Sequence, residues 1–413
     1  MSQERSRRAF VLVIDACGIG AAPDAASYGD SETNTLAHLA DALGGLELPT
    51  LARLGLGSIA PLRGVAASAD PAIHGRLCPQ GPGKDSISGH WELMGVIAER
   101  ALPTYPHGFP PEIVEALERA SGHGLLCNRP DNGLVAIEAF GAEHVRTGAL
   151  IVYTSADSVL QLAAHVERVP PPELYRACER ARELMHGEHA VGRVIARPFA
   201  GVPGAFVRTD GRRDFALEPP ARSYLQELED AGVEVHGVGK IEDLFAGVGL
   251  TASHPGATNE RALEQVDELF ERLPAGLVLA NLIETDQIYG HRKDAEGFAA
   301  ALAHIDARVG VLLERMREGD LLVLSADHGV DLAHPGSDHT RECVPLLAVS
   351  GEMLARRPTG AAGPTGAAGL TGAHGPGLGG KRHDGQLADV GASVMRWLTG
   401  HQADGLPGEA FVS

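Results

Sequence analysis

The chain has 413 residues, 44% hydrophobic and 22% charged, the balance of a soluble globular protein with length for two or three domains. Its formal net charge of -19 excludes a counterion-releasing surface for a polyanion, so neither nucleic acid nor membrane is expected as a partner. Any phosphate chemistry must draw its positive charge from metal ions or from a few Lys and Arg.

The basic start, Met1 to Arg8, leads into an apolar run of only Ala9 to Ile14, too short for a secretory h-region. The five cysteines (17, 78, 127, 178 and 343) are scattered, with no CxxC, and read as reduced, buried thiols of a cytoplasmic protein.

Phe10 to Ile14, closed by Asp15 and Gly18-Ile19-Gly20, has the pattern of a strand buried on both faces that ends in a loop. A helix is predicted next, capped by Thr33, with Leu36, Leu39, Ala40 and Leu43 on one face and Gly44-Gly45 as its stop. Between about Ala101 and Pro219 the prolines cluster, with helices predicted at Glu112 to Ala120 and Glu173 to Met185. Strands there are predicted at Ala149 to Thr154 and Arg193 to Ala196.

Strand and helix then alternate: strands at Leu277 to Ile283, Leu321 to Ser325 and Val344 to Val349, helices at Ala295 to Met316 and Leu387 to Leu398. The expected fold is α/β, a core with a mainly parallel sheet between helices. It is expected as residues 1–100 and 220–413, with 101–219 an inserted smaller α/β cap domain. Glycine recurs every third residue from Gly360 to Gly375, too briefly for a collagen helix in one chain, and residues 357–380 are expected to form a flexible insertion.

The chemistry gathers where strands end. Asp15 closes the first strand; Asp286 and His291 follow the strand that ends at Ile283. Asp327-His328-Gly329 follows Leu321 to Ser325, and His339 lies in Asp338-His339-Thr340-Arg341 before the next strand. Open α/β sheets place their sites at the carboxyl ends of strands. Carboxylates with imidazoles, and no thiolate competing, suit Mn²⁺ or Zn²⁺ over Ca²⁺. Gly83-Lys84-Asp85-Ser86-Ile87-Ser88-Gly89-His90-Trp91-Glu92 places a serine at a helix start, where the dipole favours an attacking alkoxide and a bound phosphate. Ser86 is the candidate nucleophile and Ser88 its rival.

These segments carry a resemblance over nearly the whole length. Asp15-Ala16-Cys17-Gly18-Ile19-Gly20, Gly83-Lys84-Asp85 with Gly89-His90-Trp91-Glu92, and Tyr153-Thr154-Ser155-Ala156-Asp157-Ser158 are part of it. So are Gly192-Arg193-Val194-Ile195-Ala196-Arg197-Pro198-Phe199, Tyr289-Gly290-His291-Arg292, Ala326-Asp327-His328-Gly329 and Asp338-His339-Thr340-Arg341-Glu342. Together they resemble the bacterial phosphopentomutases of the alkaline phosphatase superfamily.

The resemblance implies an alkaline-phosphatase-like core holding two Mn²⁺ ions, one on Asp15, Asp327 and His328, the other on Asp286, His291 and His339. It implies catalysis by Ser86, which stands where the family has a phosphorylated threonine, and sugar-phosphate contacts from Ser155, Asp157, Arg193 and Lys240. The implied reaction interconverts ribose (or 2-deoxyribose) 1-phosphate and 5-phosphate through a phosphoenzyme and a bisphosphate. A bisphosphate sugar such as glucose 1,6-bisphosphate primes it, and the cap excludes water. Val330 replaces the family's asparagine after the Asp-His-Gly turn. Two alternatives stay open: a metal-dependent phosphatase, or mutase on another phosphorylated metabolite, and a non-catalytic sugar-phosphate binder.

Overall fold

The structure, a computed structural model, describes residues 6–155, 157–355 and 378–413. The predicted glycine-rich insertion lies outside the described residues except for its last three. Along the chain the strands are β1 (Arg8–Ile14), β2 (Ile73–Cys78), β3 (Leu125–Pro130), β4 (Leu150–Thr154), β5 (Val159–His165), β6 (Arg193–Ala200), β7 (Val207–Arg208) and β8 (Arg213–Ala216). They continue as β9 (Val235–Val238), β10 (Ala252–His254), β11 (Gly276–Leu282), β12 (Asp320–Ser325), β13 (Val344–Ser350) and β14 (Gly385–Gln386). The helices used below are α1 (Thr35–Ala42), α2 (Ser86–Leu93), α3 (Pro111–Ser121), α4 (Gly133–Thr147), α5 (Pro171–Leu184), α6 (Asn259–Arg272), α7 (Ala295–Arg315) and α8 (Asp389–Thr399).

The chain divides into two compact units, one of Met1–Arg100 with Pro219–Ser413, the other of Ala101–Glu218. The first is built on an eight-stranded sheet in the order β10-β9-β11-β1-β12-β13-β2-β14. The five strands from β10 to β12 are parallel. Every residue of β1, β11, β12 and β13 is buried, as a sheet covered on both faces requires. β13 alone runs against its neighbours, antiparallel to both β12 and β2. That reversal has a consequence for the site: the start of β13 falls at the edge where β1, β11, β12 and β2 end.

The second unit has a six-stranded sheet in the order β3-β4-β5-β6-β7, with β8 also on the edge of β6. One face carries a core of Leu150, Val152, Leu160, Leu162, Val194 and Ala196 against residues of α3 and α5. On the other, Ile151, Tyr153, Ala163 and Phe199 pack against Ala136 and Ile137 of α4.

Two local expectations are corrected. The cap of α1 is Asn34, whose side chain accepts from Ala37 N, because the Thr33 hydroxyl is already given to Asp30 O at 2.8 Å; Leu43 lies beyond the helix and is exposed. Cys78 and Cys343 form a disulfide across a sequence separation of 265 residues, so only Cys17, Cys127 and Cys178 are free. The antiparallel register that sets Val344 beside Leu77 makes their neighbours partners, which no local spacing reveals. Denatured without reductant, the chain should titrate three thiols; a count of five would show the pair reduced.

At the amino edge of the sheet Arg8, fully buried, holds Asp320 through two 2.7 Å bonds and donates to Phe270 O and Leu273 O. The pair locks the first residues of β1 and β12 in register. Arg8→Met should cost about 3–5 kcal/mol because Asp320 is left buried and unpaired. The double variant Arg8→Met/Asp320→Leu should recover most of that in urea unfolding; a double variant no more stable than the single one would contradict this account.

Candidate metal centre

Asp15 follows β1, Asp327 and His328 follow β12, and His339 precedes β13, all at one edge of the sheet. Asp286 lies inside a π-helical turn, Thr285–Gly290, that follows β11, and His291 ends it. The extra residue per turn suits a segment that must aim both side chains inward. At Asp15 the chain turns out of β1 through Ala16, which adopts φ 62°, and Ala16 N donates to Asp327 Oδ1 at 3.1 Å. A non-glycine residue there is strained, and the strain persists because the two loops hold each other.

The six side chains fall into two overlapping sets. His328 Nε2 lies 3.4 Å from both Asp15 Oδ1 and Asp327 Oδ2. Asp286 Oδ1 lies 3.3 Å from His291 Nε2 and 3.2 Å from His339 Nε2, and those two nitrogens are 3.1 Å apart. His328 is also within reach of the second set, grouping with Asp286 and His339. Metal–donor bonds of about 2.1 Å put neighbouring donors roughly 3.0–3.4 Å apart in octahedral or tetrahedral shells. Both sets have that spacing. Asp286 Oδ1 and Asp327 Oδ2 are buried and make no hydrogen bond of good geometry, although imidazole nitrogens face them. Lone pairs that converge without a proton between them fit a divalent cation. Cys17, also buried here, does not compete: burial, then the charges of Asp327 and Asp15, push its thiol up and keep it protonated.

Ser86 begins α2, capped by Asp85, whose carboxylate accepts from Ser88 N at 3.0 Å and Ser88 Oγ at 2.7 Å. Ser88 is thereby committed to the cap. Ser86 Oγ instead points into the cluster, 3.0 Å from His328 Nε2 and 3.4 Å from Asp15 Oδ1. The helix is seated by its next turn. A Cβ on Gly89 would lie 2.4 Å from Asp327 O, so only glycine lets α2 pack on that loop. His90 Nδ1 lies 2.8 Å from Ser86 O and 3.1 Å from Asp327 Oδ2.

Sequence reading did not single out these supports. Asn281 Nδ2 donates to Asp15 Oδ2 at 2.9 Å and Thr285 Oγ1 to Asp15 O at 2.6 Å. An amide in the otherwise apolar β11 was the available signal. Arg341, fully buried, grips Asp24 with two 3.0 Å bonds and donates to Gly83 O, fixing the approach to Ser86. Glu342 accepts from Gly20 N, Thr35 and Thr340, joining the loops after β1 and β12.

Electrostatics match a cation site. Burial, and then the charges of Asp327 and Asp286, push Asp15 well above the ordinary carboxyl range. Burial also works against charge on Asp286, but His291 and His339 outweigh it and hold this carboxyl low. Burial lowers His328, keeping its imidazole neutral and its lone pair available. A bound cation relieves the repulsion among three buried carboxylates, so it stabilises the fold by about 2.7 kcal/mol at a hundred times its Kd. Chelation should lower the melting temperature and Mn²⁺ restore it. Asp286→Asn should show less of that gain, and a full Mn²⁺ response in this variant would argue against the site.

Glu92 stabilises the loop before Ser86, its carboxylate accepting from Gln80 N and Gly81 N. Burial raises it to about 7, against the two amides, which lower it. The folded state therefore binds more protons than the unfolded one between its ordinary value and about 7, and stability falls as pH rises through that window. Glu92→Gln should flatten this part of the melting-temperature profile; an unchanged slope would place the titration elsewhere.

Of the predicted substrate contacts, Lys240 is in the first unit, where Nζ donates to Gln287 Oε1 at 2.7 Å and its charge favours ionised Asp15. Ser155, Asp157 and Arg193 are in the second. Asp157 N donates to Ser155 Oγ at 3.3 Å, and Arg193 Nη1 lies 3.9 Å from Asp214 with its Nε buried and unpartnered. Among the described residues no helix is long and apolar enough to cross a membrane.

The metalloenzyme superfamily model matches residues 7–400. A phosphopentomutase of Caldanaerobacter subterraneus subsp. tengcongensis is 48% identical over 355 residues, 86% of this chain and 90% of that one. Phosphopentomutases of Carboxydothermus hydrogenoformans and Anaeromyxobacter dehalogenans are each 48% identical, with 83% of this chain and 88% of each relative covered. Alongside the candidate donor sets at the strand ends, these likenesses show that the chain belongs to the phosphopentomutase family of the metalloenzyme superfamily.

Proposed function

We propose that the chain interconverts ribose 1-phosphate, or its 2-deoxy form, with the 5-phosphate, through a phosphorylated Ser86. The observation that carries this reading is the Ser86 hydroxyl, 3.0 Å from His328 Nε2 and 3.4 Å from Asp15 Oδ1 at the edge of two cation-sized donor sets. Asp15, Asp327 and His328 would hold one cation and Asp286, His291 and His339 the other, with Mn²⁺ suited to this oxygen and nitrogen set. Bound there, divalent cations supply neutralisation of the transferring phosphoryl group and a lower pKa for the serine hydroxyl.

Phospho-Ser86 gives its phosphoryl group to the free hydroxyl of the pentose phosphate. The bond to Ser86 Oγ breaks as the bond to sugar oxygen forms, leaving a 1,5-bisphosphate. Ser86 Oγ then takes the other phosphoryl group, and the isomeric monophosphate leaves. The first-turn amides of α2 lie at the positive end of its dipole, where they favour the serine alkoxide and the phosphoryl oxygens. His90 holds Ser86 O and Asp327 in one arrangement, so neither has to reorganise between the half-reactions. Ser155, Asp157, Arg193 and Lys240 are assigned as sugar-phosphate contacts. A bisphosphate sugar such as glucose 1,6-bisphosphate primes Ser86.

Purified enzyme with Mn²⁺, primer and ribose 1-phosphate should yield ribose 5-phosphate, with intact mass showing one phosphoryl group on the chain. Free phosphate without ribose 5-phosphate would make it a phosphatase. Ser86→Ala should lose about a thousandfold or more in turnover, the scale of removing a nucleophile. Full turnover in Ser86→Ala would rule out this serine.

A further inference from the structure

One buried carboxylate of the first unit has no part in the donor sets. Asp30 is 1% exposed, and its backbone is fixed in the turn that precedes α1. Asp30 N donates to Ala25 O at 2.9 Å, and Asp30 O accepts from Thr33 N at 3.2 Å and Thr33 Oγ1 at 2.8 Å. Its Oδ2 accepts from Lys84 Nζ at 3.2 Å and from Arg341 N at 2.8 Å. Lys84 stands two residues before Ser86, and Arg341 two residues after His339. A single carboxylate oxygen thus joins the segment that presents the serine hydroxyl to the segment that presents a ligand of the second set.

The other contacts of the pair lead to the same loop. Lys84 Nζ lies 3.8 Å from Asp338 Oδ2, while Asp338 Oδ1 accepts from His339 N at 2.9 Å. Gly336 N donates to His334 Nδ1 at 3.2 Å, which puts the proton of the neutral ring on Nε2, 3.5 Å from Asp30 Oδ1. Ser337 O accepts from His291 Nδ1 at 2.7 Å and so turns Nε2 of that ligand toward Asp286. Residues 334–339 therefore supply one ligand of the second set and orient another. A buried carboxylate requires a cation. The Arg341 guanidinium is committed to Asp24 and Gly83 O, so the charge of Asp30 is answered by Lys84, itself mostly buried.

We propose that Lys84 and Asp30 are positioning residues: their ion pair holds the segment before Ser86 against the loop that carries His339, and so sets the placement of the nucleophile relative to the second cation set. They act through these two segments and not on the phosphoryl group. Groups that orient metal ligands from behind govern metal affinity by about 10- to 100-fold, and misplacing a reacting group by about 1 Å costs on the order of 100-fold in rate. The kinetic half of this inference rests on the reading of Ser86 as the phosphorylated group; the metal half does not.

Two variants of the full chain test it, Lys84→Met and Lys84→Met/Asp30→Asn. The single variant leaves Asp30 buried without its cation and should melt below wild type. In the double variant the neutral amide still accepts from Arg341 N, and the melting temperature should recover. With Mn²⁺, primer and ribose 1-phosphate, Lys84→Met should lose about 10- to 100-fold in kcat with KM changed by less than about twofold, and the double variant should stay equally slow. Titrating Mn²⁺ into the chelated protein and following its melting temperature, with no substrate present, should show the apparent Kd raised about tenfold in both. A double variant that regains kcat together with stability would make the pair merely structural and overturn the proposal. So would a wild-type Mn²⁺ response in the variants. If the wild type makes no ribose 5-phosphate, the pentose reading falls, and the Mn²⁺ titration still decides whether the pair holds the second set.

Discussion

Three carboxylates, Asp15, Asp286 and Asp327, are buried around His328, each with an oxygen within 4.8 Å of one of its ring nitrogens, at one edge of a hydrophobic sheet. Burying even one unpaired carboxylate costs several kcal/mol, and His90, His291, His328 and His339 compensate only in part. A fold that keeps such a cluster needs multivalent positive charge there, and the rest of the first unit can be understood as the means of holding the cluster in place. The parallel strands bring Asp15, Asp286 and Asp327 to the same edge, and the reversal of β13 brings His339 there as well. Without that reversal His339 would sit at the other end of the sheet.

The two edges of the sheet solve opposite problems. At the amino edge the charge of Asp320 is neutralised by the bidentate Arg8, a closed pair that requires nothing from outside. At the carboxyl edge the arginine, Arg341, is withheld from the ligand carboxylates and spent on Asp24 and Gly83 O, behind Ser86. Had Arg341 reached Asp15 or Asp327, it would have satisfied them and closed the site to cations. Selectivity for a metal thus depends as much on where the cations of the chain do not point as on the ligands themselves.

The sequence disclosed the features that depend on neighbours in the chain. β1, β11 and β12 were legible as short apolar runs closed by an acid, and the six ligand candidates as residues placed where such runs end. What it concealed depends on pairing between distant segments. The Cys78–Cys343 bridge needs the β2/β13 register; the link from Asn281 to Asp15 needs β11 and β1 side by side. Thr33 failed as a cap for a local reason, since Asn34 one residue on forms the cap while Thr33 closes the preceding turn on Asp30.

Serine at position 86 is intelligible from the same geometry. A threonine in that place would restrict χ1 through its branched Cβ, fixing its hydroxyl before any metal or substrate arrives. Here the hydroxyl already has two neighbours that define one direction, His328 Nε2 and Asp15 Oδ1, and the backbone around it is fixed three times over. Asp85 caps the helix, Gly89 seats it against Asp327, and His90 holds the carbonyl of Ser86 itself. The rotational freedom that serine adds is confined to one torsion whose favoured end point lies in the donor cluster. Losing the methyl costs orientation only while the cluster is without cations, and a cation that Asp15, Asp327 and His328 would hold could supply the orientation instead. The demand for pre-organisation therefore passes from the side chain at 86 to the helix start that presents it.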